Sequence, residues 1–86
     1  MPQIELLGLA RRYAGAERIH CAGMTLEQIL RDLGTQCPQF AARCAPGERL
    51  PPGLIVCVNE RRFTIDLADP ILPTDRLLIL SADVGG

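Results

Sequence analysis

One stretch, Gly23 to Gly34 with the sequence GMTLEQILRDLG, constrains this chain more than any other, because it is the clearest amphipathic helix in the sequence. Leu26, Ile29, Leu30 and Leu33 fall at i, i+3, i+4 and i+7, so they form one apolar stripe at the helical period. Both ends are marked. Thr25 is placed to cap, Gln28 completes a Thr-x-x-Gln capping box, Met24 is placed to staple onto Ile29, and Gly34 suits a left-handed C-terminal stop. A single helix of this length covers one face of whatever it packs on.

The rest reads mainly as strands. Residues 3–10 (QIELLGLA) and 17–22 (ERIHCA), separated by a turn at Gly15, predict a hairpin. After the helix, Pro38 opens a short second helix over 38–44, and APGERLPPG follows as a loop. Strands are expected at 54–59 (LIVCVN), 62–67 (RFTIDL) and 76–80 (RLLIL), the last after a turn at Pro73-Thr74-Asp75. The expected order is β-β-α-(α)-β-β-β, an α+β domain with four to five strands on one main helix. At 86 residues there is room for one domain only.

Two of these strands are apolar on both parities: Ile4 and Leu6 against Leu7 and Leu9, and Leu77 and Ile79 against Leu78 and Leu80. A strand buried on both faces reads this way, yet one helix covers only one. Leu7, Leu9, Leu78 and Leu80 are therefore the candidate partner-binding residues.

Composition removes several function classes. A formal net charge of −1 and 3% aromatic residues argue against tracking a phosphate backbone or stacking bases, so no nucleic-acid partner is expected. The chain has no Lys, which excludes Schiff-base chemistry. No window approaches the ~18 apolar residues of a membrane span, and no signal-like start precedes the domain, so the chain reads as cytoplasmic with no membrane partner. Cys21, Cys37, Cys44 and Cys57 match no metal or cluster spacing, and Cys57 reads as a small buried apolar residue. With a single histidine, His20, no metal site and no bound cofactor are expected. Arg11, Arg12, Arg61 and Arg62 read first as a solvated rim. No Ser/His/Asp set or phosphate loop is present, so the chain does not read as an enzyme.

The last six residues, SADVGG, set the remaining question. Two adjacent glycines at a chain end lose more freedom on ordering than any other pair, which suits a tail that a partner threads. The expected division is a domain over 1–80 and a flexible tail over 81–86.

The hairpin, the capped helix, the later strands and the terminal Gly-Gly together resemble the β-grasp, ubiquitin-like MoaD/ThiS family of sulfur carriers, which includes the small subunit of molybdopterin synthase. IELLGLARRYAG is similar to the family's first strand and turn, MTLEQILRDL to its helix, VCVNERR to its Val-Asn strand end, and ILPTDRLLIL to its acidic turn and last strand. The resemblance implies a cosubstrate, monomeric when free, rather than a catalyst. An ATP-dependent adenylyltransferase related to ubiquitin-activating enzymes would activate the carboxylate of Gly86. A sulfur donor would then form a thiocarboxylate, and a synthase, foremost the large subunit of molybdopterin synthase, would accept the sulfur. Gly85, Val84 and Asp83 would thread the partner's channel, and Leu7 and Leu80 would face the activating enzyme and the synthase. ATP is used by the partner only. The tail departs from the Pro-Pro-Val-x-Gly-Gly of the molybdopterin subfamily, which leaves thiazole, cysteine or another sulfur metabolite as alternative destinations, and a ubiquitin-like modifier as an alternative role.

Overall fold

A computed structural model describes residues 1–44 and 53–81. Five strands, β1 (Gln3–Leu7), β2 (Arg18–His20), β3 (Leu54–Val58), β4 (Arg62–Thr64) and β5 (Arg76–Ser81), form one sheet in the order β2-β1-β5-β3-β4. The central pair β1 and β5 is parallel and every other pairing antiparallel, so the sheet is mixed. Three helices, α1 (Gly8–Ala14), α2 (Leu26–Gln36) and α3 (Pro38–Cys44), complete the fold. The expected main helix, second short helix and five strands are all present.

Strand alternation builds the core. Ile4 and Leu6 of β1, Leu77 and Ile79 of β5, and Leu54, Val56 and Val58 of β3 point to the inner face. The apolar stripe of α2 is wholly buried, and Phe40 of α3 joins the same cluster.

The cap at α2 forms with one change of partner. Thr25 Oγ1 accepts from the Gln28 N–H at 3.3 Å, but the Gln28 side chain accepts from the N–H of Met24 (2.8 Å), not that of Thr25. The staple is not made, because Met24 is 76% exposed. The chain after β4 takes over instead: Leu26 N–H donates to Asp69 O at 3.0 Å and Glu27 N–H to Leu67 O at 2.9 Å, satisfying the first free donors of the helix.

Three sequence expectations are corrected. Residues 3–10 do not form one strand: β1 stops at Leu7, and Gly8, at φ 63, turns the chain into α1. Seven residues are too few for a stable isolated helix. Tertiary packing supplies the missing stability, through Ala10 buried in the core, Tyr13 and Ala14 packed against it, and Arg43 over the Tyr13 ring at 5.4 Å. Gly15, at φ 71, closes α1 with its N–H on Arg11 O.

Gly34 is not the stop of α2. The helix runs to Gln36, and a Cβ on Gly34 would lie 3.0 Å from Ala41 Cβ, so the glycine lets α3 approach α2. β4 ends at Thr64 and not at residue 67, because Thr64 Oγ1 accepts from Asp66 N–H and Asp66 Oδ1 from Ala68 N–H, which bends the chain out of the sheet.

A polar network fixes the hairpin between β3 and β4. Asn59 and Glu60 both have positive φ, 56 and 59, as in a type I′ turn. Asn59 Nδ2 donates to Asp75 Oδ1 at 2.9 Å, Asn59 Oδ1 accepts from Arg76 N–H at 2.9 Å, and Asp75 Oδ2 accepts from Leu72 N–H at 2.8 Å. The hairpin and the turn before β5 are thereby tied to each other.

Candidate functional site

Every residue that alternates away from the helices lies on the second face of the sheet. The cross-strand registers arrange this outer face in rows. The row at the end where β5 finishes reads Leu7, Leu80, Ile55; the next reads Arg18, Glu5, Leu78, Cys57, Phe63; the third begins His20, Gln3, Arg76. The face is graded: apolar toward the end of β5 and the β4 edge, charged toward the opposite corner.

Leu7, Leu78 and Leu80 are half-buried in this face, as expected of a surplus apolar set. Leu9 does not join them. It sits on α1, half-buried, and the strand parity that grouped it with Leu7 ends at Leu7, two residues before it.

The sequence reading did not place Ile55 and Phe63 in the patch, nor Ile65, and it took Cys57 for a core residue. Ile55 is 39% and Phe63 75% exposed, and Cys57 is half-buried between Leu78 and Phe63 on the outer face. The signal was available: LIVCV is apolar on both parities, as are the strands around Leu7 and Leu78. Sequence alone does not show that these three strands are neighbours.

Strand β5 runs to Ser81, which pairs with Leu54 beside the row of Leu7, Leu80 and Ile55. Asp83, Val84, Gly85 and Gly86 lie outside the described residues. The five residues after Ser81 have a maximum contour of roughly 17 Å.

At the charged corner an open groove of about 390 Å³ is lined by Gln3, Glu5, Arg18, Glu60, Arg76 and Leu78. Arg11, Arg12, Arg61 and Arg62 are exposed. Arg11 faces Glu17 at 3.8 Å, while Arg62 holds Asp69 at 2.6 Å and keeps its carboxyl below the usual range through that hydrogen bond.

The buried thiols are unsuited to chemistry. Burial first, then the nearby Asp32 carboxylate and Cys37, push the Cys21 thiol up to about 12, and burial raises Cys37 as well. Among the described residues no three His, Cys, Asp or Glu side chains group as metal ligands, and no helix is long and apolar enough to cross a membrane.

No protein-family model matches the chain, and no curated protein matches it. Solved structures do. A chain of the Amycolatopsis orientalis BexX/CysO complex is 23% identical, with full coverage of both chains and a TM-score of 0.81. Mycobacterium tuberculosis CysO, described as an antigen, is 22% identical over 96% of this chain and 100% of its own, with a TM-score of 0.78. SAMP1 from Haloferax volcanii is 20% identical over 98% of this chain and 97% of its own, with a TM-score of 0.77. At these identities the likeness establishes the fold alone, which is the α+β, ubiquitin-like β-grasp expected from the sequence.

Proposed function

We propose that this chain is a sulfur carrier whose outer sheet face docks an activating enzyme while residues 82–86 enter that enzyme's active site. The observation that carries the reading is the convergence of Leu7, Leu80 and Ile55 at the strand end from which the chain continues to Gly-Gly. Docking of the body offsets the entropy of ordering the tail.

The chemistry follows from the carboxylate. Its reference pKa of about 3.5 leaves it ionised and a poor electrophile at neutral pH. In the partner, a carboxylate oxygen of Gly86 attacks the α-phosphorus of ATP and pyrophosphate leaves. A sulfur donor at the oxidation level of hydrosulfide then attacks the acyl carbon, AMP leaves as the acyl C–O bond breaks, and loss of the S–H proton gives the thiocarboxylate. Glycine at 85 and 86 lets the backbone pass close to catalytic groups. This chain supplies the handle and the acyl group, and the partner supplies catalysis and ATP.

The sequence resemblance favours the large subunit of molybdopterin synthase as the acceptor, in a cytoplasmic pathway. The neighbour in complex with BexX supports docking to a partner protein but names a different one. The small archaeal modifier among the neighbours favours a second reading, in which the same activated Gly86 acylates target amines.

Incubation with the cognate adenylyltransferase, ATP and a sulfur source tests the proposal by intact mass. Loading adds about 16 Da as sulfur replaces oxygen. Leu7→Asp with Leu80→Asp abolishes loading while the fold persists, because both side chains lie outside the core. Absence of a mass change in the wild type refutes the carrier reading; higher-mass conjugates in cells that vanish on deletion of Gly86 favour the modifier.

A further inference from the structure

A second open pocket, of about 530 Å³, lies beside the point where the chain leaves the sheet. Gly8, Arg11, Arg12, Gly15, Ala16 and Glu17 line it. Arg11 meets Glu17 only at 3.8 Å, with both side chains about half exposed, and such a pair is weak. Arg12 is exposed and has no ion-pair partner among the described residues. The pocket therefore carries surplus positive charge. It is also open to close approach, since a Cβ on Gly15 would meet no atom within 4 Å.

We propose that this pocket binds the chain's own end, residues 82–86, through the carboxylates of Asp83 and Gly86. Leu80 lies opposite Leu7 in the parallel pair, so Ser81 ends β5 beside Gly8, on the pocket's near wall. Glu17 is on the far wall, across β1, where its carbonyl accepts from Leu6 N–H at 2.8 Å. Two strand spacings, about 10 Å, separate Ser81 from Glu17. Five residues reach roughly 17 Å, enough to cross the pocket. Asp83, only two residues past Ser81, reaches about 7 Å and comes level with the near wall.

Charge selects this occupant. Residues 82–86 carry Asp83 and the carboxylate of Gly86 and no cationic side chain, against Arg11 and Arg12. Gly85 and Gly86, lacking Cβ, let the last peptide lie against the open backbone at Gly15. Exposed arginine–carboxylate contacts are individually weak, so a free acidic peptide at micromolar concentration leaves the pocket empty. The tether changes this, because a short link holds the two carboxylates at an effective concentration in the millimolar range. Leu7, Leu80 and Ile55 line no part of the pocket, so the docking row stays open while the end is held. Only the consequence rests on the carrier reading: a partner docks on the outer face first and then draws the end out of the pocket.

Nitrogen-15 relaxation of the full chain tests the proposal without any enzyme, so its outcome is separate from that of the loading assay. At about 10 mM NaCl the backbone order parameter of Gly86 is expected above about 0.6, the boundary of a flexible backbone. At about 1 M NaCl, where the screening length falls from about 30 to about 3 Å, it drops below that boundary. Arg11→Gln with Arg12→Gln, at exposed positions, gives the same drop at low salt with unchanged thermal melting. Asp83→Asn shifts the amide resonances of Arg12, Gly15 and Ala16. A Gly86 order parameter below about 0.6 in the wild type at low salt overturns the proposal. So does one that the double variant leaves unchanged, or an Asp83→Asn shift that falls on Leu7, Leu80 and Ile55 in place of the pocket.

Discussion

Asn59 carries more of the fold than its place in a surface turn suggests. Replacing it with Ala removes its hydrogen bonds to Asp75 Oδ1 and from Arg76 N–H, both 2.9 Å. Each such bond contributes about 1 kcal/mol net. Asp75 is 7% exposed and keeps only the Leu72 N–H, so Oδ1 loses a donor in a place water barely reaches. Alanine at φ 56 adds strain of the order of 0.5–1 kcal/mol, because Asn tolerates the left-handed region better. The expected loss is about 3 kcal/mol, against a total stability of roughly 4–13 kcal/mol for a domain this size. Urea denaturation at 25 °C reads this as a lower midpoint at unchanged slope, and the melting temperature falls by roughly 12–24 °C. The neighbouring Glu60→Gly supplies the opposite sign. Glycine relieves the positive φ of 59° at position 60 but adds disorder to the unfolded chain, for a net gain of about 0.5–1 kcal/mol. An Asn59→Ala loss below about 1 kcal/mol would refute the network argument, as would destabilisation by Glu60→Gly.

Thr25→Ala should cost about 1 kcal/mol by removing the acceptor for Gln28 N–H, measured by the same unfolding experiment. The sign of the alkaline limb follows from Cys21 and Cys37, whose folded pKa values lie above 9.0. The unfolded chain releases these protons first, so stability is full below about pH 9 and falls as pH rises from there toward 12. Cys21→Ala is less stable at pH 7, because it leaves a cavity, yet shows a shallower alkaline decline in pH-dependent urea midpoints.

Element identity was largely legible in the residues because it rests on local pattern. The stripe and cap of α2 and the apolar runs of β3 and β5 are read from neighbours in sequence. Helix α1 was not, since GLARRYAG mixes a strand-like start with a helical spacing, and only burial of Ala10 against β5 and α3 decides between them. Gly34 shows the same limit: a glycine near a helix end reads as a stop until a second helix is found resting on it.

The candidate site divides along the same line. Surplus apolar residues at Leu7, Leu78 and Leu80 were visible from strand parity alone. That Ile55, Cys57 and Phe63 extend the patch was not, because parity says which face a residue takes but not which strand lies beside it. The sequence by itself determined the periodicities, and with them the helix and the two-faced strands. The tertiary structure alone decided the order β2-β1-β5-β3-β4, through the parallel pairing of β1 with β5, residues some seventy positions apart. That pairing sets Leu7 beside Leu80 at the end of the last strand. No local preference encodes it, since its free energy comes from closing one core over α2.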